Sequence, residues 1–188
     1  MKIGVFVGSF DPVHKGHKKV MDHLINNGYV NKVIVVPTLS YWDKNISSSL
    51  EDRINMLKFY ENESIIIGDR YSNYKYTHEI LREIKKDYNG ELHLIMGADN
   101  LLKFYMWKNK EEILSNKVLV LGRDGIDVLN YIKLLKDKES FIYVSDFVEE
   151  KISSTFIRER IKDNDYGSLK SYLNYDIINY IKENNLYK

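Results

Sequence analysis

Short, uninterrupted apolar runs recur along the chain and predict buried strands. They cover residues 3–7, 32–36, 64–67, 92–96, 118–121 and 141–144, and most end at a glycine or a proline. A half-buried strand would alternate apolar and polar residues, whereas strands covered on both faces of a parallel sheet are continuously apolar. The pattern therefore indicates a mostly parallel sheet.

Stretches with apolar residues at helical spacing separate these runs and predict helices over residues 18–27, 50–60 and 77–88. Strand-helix-strand alternation implies crossover connections, hence an α/β, Rossmann-like fold with helices on both faces of the sheet. After residue 144 the pattern predicts two more helices, over 154–162 and 176–184, and no strand. We expect a single domain over residues 1–188, with a sheet core (1–150) and a small helical C-terminal segment (151–188).

Composition narrows the class of protein. The 188 residues include no Cys, which excludes a disulfide scaffold, a zinc-thiolate site and a cysteine nucleophile. A net charge of +1 disfavours nucleic acid or an anionic membrane as the partner. No apolar run approaches the roughly 20 residues of a membrane-spanning helix. The N-terminus lacks the pattern of a signal peptide, so we expect a cytoplasmic protein. The sequence leaves the oligomeric state open, including a homo-oligomer.

Ligands of open α/β sheets bind beyond the carboxyl ends of the strands, near the point where the strand order reverses. The residues that follow the predicted strands are therefore the first candidates for a site. They are Gly8-Ser9-Phe10, Pro37-Thr38, Gly68-Asp69, Gly97-Ala98-Asp99 and Gly122-Arg123.

The segment 8–17, Gly-Ser-Phe-Asp-Pro-Val-His-Lys-Gly-His, links the first strand to the first helix. Gly8 permits a tight turn close to a ligand, and a helix start favours phosphate. His14 and His17 stand three residues apart, so both face one side of a helical turn. Gly16 lies where a side chain would crowd whatever covers the helix start. The segment is not a Walker A loop. Its structural alternative is one capping and one core histidine in a tight turn.

A second segment, residues 152–158, places hydroxyl side chains before another helix. Ser153, Ser154 and Thr155 suit a helix start, and on that ground alone they are structural caps. Arg158, which we place in the first turn, is unfavourable for the helix dipole unless an anion binds there. Two helix starts could then converge on one polyphosphate.

Together, these two motifs resemble those of the nucleotidylyltransferase α/β-phosphodiesterase superfamily, with its His-x-Gly-His motif and a distal Ser/Thr-rich, basic motif. Within it, the chain resembles the bacterial nicotinate-nucleotide adenylyltransferases. The related phosphopantetheine adenylyltransferases usually have Thr where His14 stands. Further similarity lies in Tyr76-Thr77, in Gly97-Ala98-Asp99-Asn100, in the Trp107-containing segment and in residues 177–187.

The resemblance implies AMP transfer from ATP to nicotinate mononucleotide, with Mg²⁺ arriving with the ATP and no dedicated metal site. It implies His14, His17 and Arg158 as catalytic residues. The implied ATP-binding residues are Gly8, Ser9, Phe10, Gly16, Gly97, Asp99, Ser154 and Thr155. The implied residues for the acceptor, a pyridine mononucleotide, are Trp42, Lys44, Tyr76, Thr77 and Trp107.

The chain departs from the family in the loop after the second strand. Where relatives usually have Pro-Pro-His-Lys, this chain has Ser40-Tyr41-Trp42-Asp43-Lys44. Lys44 matches the lysine, while Trp42 is either an aromatic lid or a residue packed on the surface. Two other assignments have structural alternatives, since Asp99 could cap the next helix and Trp107 could be a core aromatic.

Three alternatives to this function stay open on the sequence. The same chemistry could act on nicotinamide mononucleotide or on phosphopantetheine. The chain could instead be a nucleotide-binding regulator without turnover, although the intact His14, His17 and Arg158 argue against that.

Overall fold

The computed structural model describes residues 1–39, 46–123 and 125–188. Its sheet has six strands in the order β3-β2-β1-β4-β5-β6, and every neighbouring pair is parallel. The strands are β1 (Lys2–Gly8), β2 (Lys32–Pro37), β3 (Ile65–Ile67), β4 (Glu91–Gly97), β5 (Lys117–Leu121) and β6 (Phe141–Val144). The strand order reverses between β1 and β4, which places the expected ligand cleft at their carboxyl ends.

The helices that connect and cover the strands include those predicted from the sequence and three short ones that were not. They are α1 (Lys15–Asn26), α2 (Leu50–Lys58), α3 (Thr77–Asp87), α4 (Ala98–Leu101), α5 (Lys110–Leu114), α6 (Val128–Leu134), α7 (Ser154–Lys162) and α8 (Tyr175–Glu183). Single 3₁₀ turns lie at Asp69–Tyr71, Phe104–Met106, Lys138–Ser140 and Ser168–Ser171. The predicted start of α1 was three residues late, because the polar start Lys15-Gly16-His17 hides the helical pattern.

Each face of the sheet carries its own hydrophobic core. Along β5, Val118 and Val120 face one core while Leu119 and Leu121 face the other, so both sets of side chains are buried. Helices α1, α2, α7 and α8 cover the face of Leu119, and α3, α5 and α6 cover the opposite face. This arrangement explains the uninterrupted apolar runs and confirms the predicted α/β class. The division of the chain at residue 150 stays a prediction.

The helical C-terminal part packs against the same core as the first helix. Ile157 and Ile161 of α7 and Ile177 and Ile181 of α8 are fully buried beside Leu24 of α1. The motif around residue 154 is thereby brought next to the loop that follows β1. In the described ranges, no helix has both the length and the apolar character to cross a membrane.

Candidate active site

A cavity of about 530 Å³ opens at the carboxyl ends of β1, β4 and β5. Its walls include eleven of the residues proposed from the sequence, among them all three proposed catalytic residues. They are Gly8, Ser9, Phe10, His14, Gly16, His17, Gly97, Asp99, Ser154, Thr155 and Arg158. Among the described residues, neither Pro37-Thr38 at the end of β2 nor Gly68-Asp69 after β3 lines this cavity. The site thus lies where β1 and β4 meet, as the strand order requires.

A larger cavity of about 1020 Å³ lies along the outer side of α1, next to α8. Two of its lysines are already paired, Lys18 with Asp22 and Lys19 with Glu150. It contains neither histidine of the sequence motif, nor Arg158. The smaller cavity is therefore the better candidate for the functional site.

The first helix begins with two stacked imidazole rings. The rings of His14 and His17 lie 3.7 Å apart, centre to centre, and 27° from parallel. The backbone N–H of His14, the N-cap residue, donates to Nδ1 of His17 at 3.2 Å. Because Nδ1 accepts a hydrogen bond, the hydrogen of a neutral His17 ring lies on Nε2. A Cβ atom on Gly16 would stand 3.0 Å from Nδ1 of His14, so glycine leaves room for that ring.

His14 is an uncharged donor at neutral pH. The residue is 6% exposed, and its Nδ1 has no hydrogen-bond partner among the described residues. Burial, helped by the positive charge of Arg123, lowers the pKa of His14 from 6.5 to about 4. A neutral imidazole can donate one N–H but carries no charge, so the positive charge of the site comes from arginine.

The start of α1 is more fully paired than expected from the sequence. The backbone N–H of Lys15, the first helical residue, donates to the carbonyl of Tyr172 at 2.8 Å. The Lys15 ammonium donates to the carbonyl of Lys170 at 2.6 Å. The expectation of unpaired donors at this helix start is wrong for Lys15. The imidazole rings, rather than this N–H, face the cavity.

The second helix start, that of α7, is joined to the loop after β1. Ser153 is the N-cap and accepts from the N–H of Phe156, while the Ser154 hydroxyl donates to the carbonyl of Pro12 at 2.9 Å. Arg158 is the fifth residue of α7 and so lies in its second turn, not in the first turn as predicted. The dipole argument for an anion is correspondingly weaker, since the dipole effect fades within one turn.

Arg158 nevertheless lines the cavity, with 19% of its side chain exposed. Its Nη1 donates to the main-chain carbonyl of Asp11 at 2.7 Å, and its Nη2 donates to Oγ1 of Thr155 at 3.3 Å. Both contacts hold the guanidinium at the cavity wall. Arg158 therefore has a structural contact in addition to any role toward a ligand.

The loop that follows β1 is tightly shaped. Phe10 has a φ of 49°, a left-handed conformation that is uncommon outside glycine, and its ring packs edge-on against Phe6 and His17. A Cβ on Gly8 would approach that ring to 3.1 Å, so Gly8 leaves space for it. Below the loop, Arg53 is 1% exposed and donates to the carbonyl of Ser9 at 2.6 Å.

The opposite wall carries an arginine held between two carboxylates. Arg123 follows β5, and its guanidinium lies 3.2 Å from Asp99 and 2.8 Å from Glu149. Asp99 is the second residue of α4, and Gly97 is the N-cap, so Asp99 pairs with Arg123 rather than capping the helix. Arg123, Glu149 and Asp11 line the cavity and were absent from the predicted site. Arg123 carried a signal in its place after a strand, and Asp11 in its place within the segment 8–17, whereas Glu149 carried none.

Three predicted acceptor residues lie outside this cavity, near the starts of α3 and α5. Tyr76 is the N-cap of α3, and its ring stacks on His78 and lies 4.3 Å from the Lys108 ammonium. Thr77 is the first residue of α3, as predicted. Trp107 is half-buried with its ring 5.5 Å from that of Phe104, which agrees with its core alternative. The remaining two, Trp42 and Lys44, lie outside the described residues.

The described ranges contain no cluster of three or more His, Asp or Glu side chains arranged to hold a metal ion. Asp99 and Glu149, the carboxylates of the opposite wall, are both bonded to Arg123. The donor groups of this site are instead suited to an anion.

The sheet is parallel, and the two sequence motifs, at the starts of α1 and α7, meet at one cavity. These features define a Rossmann-like nucleotidyltransferase. A family model described as cytidylyltransferase-like matches residues 5–160. A relative from Aquifex aeolicus, described as a probable nicotinate-nucleotide adenylyltransferase, is 37% identical over 80% of this chain and 98% of its own. One from Borrelia garinii with the same description is 34% identical over 100% of this chain and 95% of its own. The chain belongs to this cytidylyltransferase-like family and, within it, to the nicotinate-nucleotide adenylyltransferases.

The solved structures agree on the fold. The nicotinic acid mononucleotide adenylyltransferase of Plasmodium falciparum, solved in complex with NaAD, superposes with a TM-score of 0.78 at 24% identity. The match covers 99% of this chain and 97% of that one. A second structure of the same enzyme, in complex with APC, gives a TM-score of 0.74.

Proposed function

We propose that the cavity at β1, β4 and β5 is where AMP is transferred from ATP to nicotinate mononucleotide, giving nicotinate adenine dinucleotide and pyrophosphate. The observation that carries this proposal is the meeting of His14, His17 and Arg158 in one cavity, although His17 and Arg158 are 141 positions apart in the sequence. Family membership supports the same reaction.

The reaction needs alignment more than proton transfer. The attacking group is a phosphate oxygen of the acceptor, which is already anionic at neutral pH, so no general base is required. It forms a bond to the α-phosphorus of ATP while the bond to the pyrophosphate oxygen breaks. The protein must hold two anions in line and stabilise the charge that builds on the phosphoryl oxygens and the leaving group.

The proposed roles follow from where the side chains lie. His14 and His17 donate N–H groups to the phosphates, with His17 nearest the α-phosphate, and Arg158 holds the triphosphate. Thr155 lies beside Arg158 and adds a hydroxyl, whereas the hydroxyl of Ser154 is already bonded to the loop after β1. Ser154 therefore acts through its main chain and by holding that loop.

The remaining ATP contacts are assigned to the ends of β1 and β4. Gly8, Ser9, Phe10 and Gly16 shape the loop and the helix start that border the phosphates. Gly97 and Asp99 face the ribose, and the Asp99 carboxylate can accept hydrogen bonds from the ribose hydroxyls. These assignments use residues that line the same cavity.

Mg²⁺ enters as part of the substrate. It neutralises charge on the phosphate oxygens of ATP when bound. The side chains of the cavity are suited to bind anions rather than a metal ion. Mg²⁺ would therefore be held mainly by the phosphate oxygens of ATP and by water. His14, His17 and Arg158 then contact the phosphate oxygens that remain.

For the acceptor, we propose Tyr76, Thr77 and Trp107, together with Trp42 and Lys44. The first three lie near the starts of α3 and α5, where His78 lies 3.0 Å from the side chain of Asn109. Thr77 at a helix start can donate to the nicotinate carboxylate, and an aromatic ring can stack on the pyridine. An amide at that position would present its NH₂ to donors and lose affinity.

The test is kcat/KM with ATP for nicotinate and nicotinamide mononucleotides, measured as pyrophosphate release, with phosphopantetheine as a third acceptor. We expect the nicotinate compound to be preferred, by up to ~10⁴-fold if water is excluded from the site. Equal values, or a preference for another acceptor, would contradict acid specificity while leaving adenylyl transfer intact. Binding of ATP without pyrophosphate release would indicate a regulator.

A further inference from the structure

A buried carboxylate in the loop after β1 collects three hydrogen bonds from distant parts of the chain. Asp11 is 2% exposed. Its Oδ1 accepts from the hydroxyls of Tyr187, at 2.8 Å, and of Ser48, and its Oδ2 accepts from the N–H of Ser47 at 2.7 Å. A buried charge is tolerated when it is fully hydrogen-bonded, and the loss of one donor is then costly.

The same residue also fixes a group of the proposed active site. The main-chain carbonyl of Asp11 accepts from Nη1 of Arg158, and this nitrogen lies 4.0 Å from the Asp11 carboxylate. Two residues earlier, the carbonyl of Ser9 is held by the buried Arg53, which also donates to the carbonyl of Thr38 at 2.7 Å. Asp11 therefore links the position of Arg158 to the packing around its own carboxylate.

Tyr187 approaches Asp11 from the opposite end of the sequence. It is 5% exposed, and its ring lies in the core that also holds Ile157 and Ile181. Its φ of 64° is a left-handed conformation, which a bulky residue keeps only when its surroundings hold it there. Burial, and then the charge of Asp11, raise the pKa of the Tyr187 hydroxyl, so it stays protonated as a donor.

We infer that Tyr187 and Asp11 are positioning residues for adenylyl transfer: the Tyr187 hydroxyl orients Asp11, and Asp11 holds Arg158 and the loop that carries His14. This inference rests on the proposed function. Tyr187 does not line the cavity, and its hydroxyl contacts Asp11 and the Ser48 hydroxyl, which itself donates to Asp11, so Tyr187 acts through this carboxylate and not on the substrate. A purely structural role would lower stability but leave the kinetics of the folded protein unchanged.

The test compares two tyrosines that each lose a hydroxyl bonded to a carboxylate. Tyr187→Phe keeps the ring and removes the donor to Asp11. Tyr71→Phe is the matched control, because Tyr71 is 3% exposed and its hydroxyl is bonded to Asp87 at the far end of α3 from Thr77. We expect Tyr187→Phe to lower kcat about 10-fold, with the KM for ATP changed less than about 3-fold, because misalignment acts mainly on the chemical step.

For Tyr71→Phe we expect kcat within about 2-fold of wild type, with a comparable fall in Tm, since it loses only a hydrogen bond. Ser48→Ala removes a different donor from the same carboxylate oxygen, and should lower kcat in the same direction. If Tyr187→Phe and Ser48→Ala both turn over as fast as Tyr71→Phe, the positioning role is wrong.

A double-mutant cycle tests whether the effect passes through Arg158. In an Arg158→Ala background, the effect of Tyr187→Phe on kcat/KM for ATP should fall to about 3-fold, because one of the two groups it positions is gone while the loop that carries His14 remains. An undiminished 10-fold effect there would overturn the inference while wild-type activity still supports adenylyl transfer. Absence of pyrophosphate release by the wild type would instead contradict the proposed function, and the inference with it.

Discussion

The imidazole of His14 lies flat against that of His17, and the residue between them that makes this contact feasible is Gly16. The rings are 3.7 Å apart, and a methyl group at position 16 would stand 3.0 Å from the His14 ring. The His-x-Gly-His pattern is therefore one packed unit in which glycine sets the position of the first ring. Its residues and Arg158 can be tested one at a time.

His17→Ala should lower kcat by roughly 100-fold or more, because a preorganised donor in such a site contributes about 3–4 kcal/mol to the transition state. The loss of stability should be small, since the ring lines a cavity. Steady-state turnover checks this, with His23→Ala on the same helix as the control. His23 pairs with Asp146 outside the cavity. Near-normal turnover of His17→Ala would exclude the catalytic assignment.

Gly16→Ala should lower kcat at least about 10-fold by displacing the His14 ring, a misplacement of the kind that costs up to ~10²-fold. Alanine is the better helix former by about 1 kcal/mol, which offsets part of the strain, so the change in Tm should be small. Gly167→Ala is the control, because a Cβ there has its nearest contact at 3.8 Å. Equal turnover of the two variants would show that His14 tolerates the methyl group.

Arg158→Ala should raise the KM for ATP at least about 10-fold, as loss of a charge-assisted contact of about 1.5–3 kcal/mol implies. It should also lower the Tm of the ligand-free protein, because Arg158 donates to the carbonyl of Asp11. The control is Arg160→Ala on the same helix, since Arg160 pairs with Asp165. Should both variants show the wild-type KM, Arg158 does not bind the triphosphate.

The buried His14 should make stability depend on pH between about 4 and 6.5. The unfolded residue titrates at 6.5 and the folded one at about 4, so the unfolded chain binds more protons in this window. Stability is therefore present above pH 6.5 and lost as the pH falls toward 4, by about 2 kcal/mol between pH 7 and pH 5. Urea unfolding at both pH values should show this loss in wild type but not in His14→Asn. Parallel pH profiles would contradict it.

The strands and the first site motif could be predicted from the sequence because they follow local rules. A strand that is buried on both faces of the sheet has mostly apolar residues, and a glycine at its end marks a turn. The short helices α4, α5 and α6 could not, because they span only four, five and seven residues and carry little periodicity. In α6, Leu129 and Leu134 are exposed while Val128 and Ile132 are buried, so its apolar residues do not mark one buried face.

The full set of residues that form the site could not be predicted, because it depends on contacts between distant parts of the chain. The rule about strand ends pointed equally to Thr38, Asp69 and Arg123, and only the strand order selects Arg123 for the cavity. No sequence motif singles out Arg53, yet it is buried against two carbonyl groups. The feature that explains its position is a pair of carbonyl groups from two separate chain segments, and these come together only in the folded structure.

The bond between Asp11 and Tyr187 joins residues that are 176 positions apart. Contacts of such sequence separation form late, because the intervening chain must be ordered before the entropy of closing so long a loop is recovered. During synthesis the first strands and α1 emerge long before α8. The nascent protein can therefore assemble most of its sheet while the loop after β1 still lacks its last hydrogen-bond donor, so the ability to turn over substrate should be acquired at the end of folding rather than with the sheet.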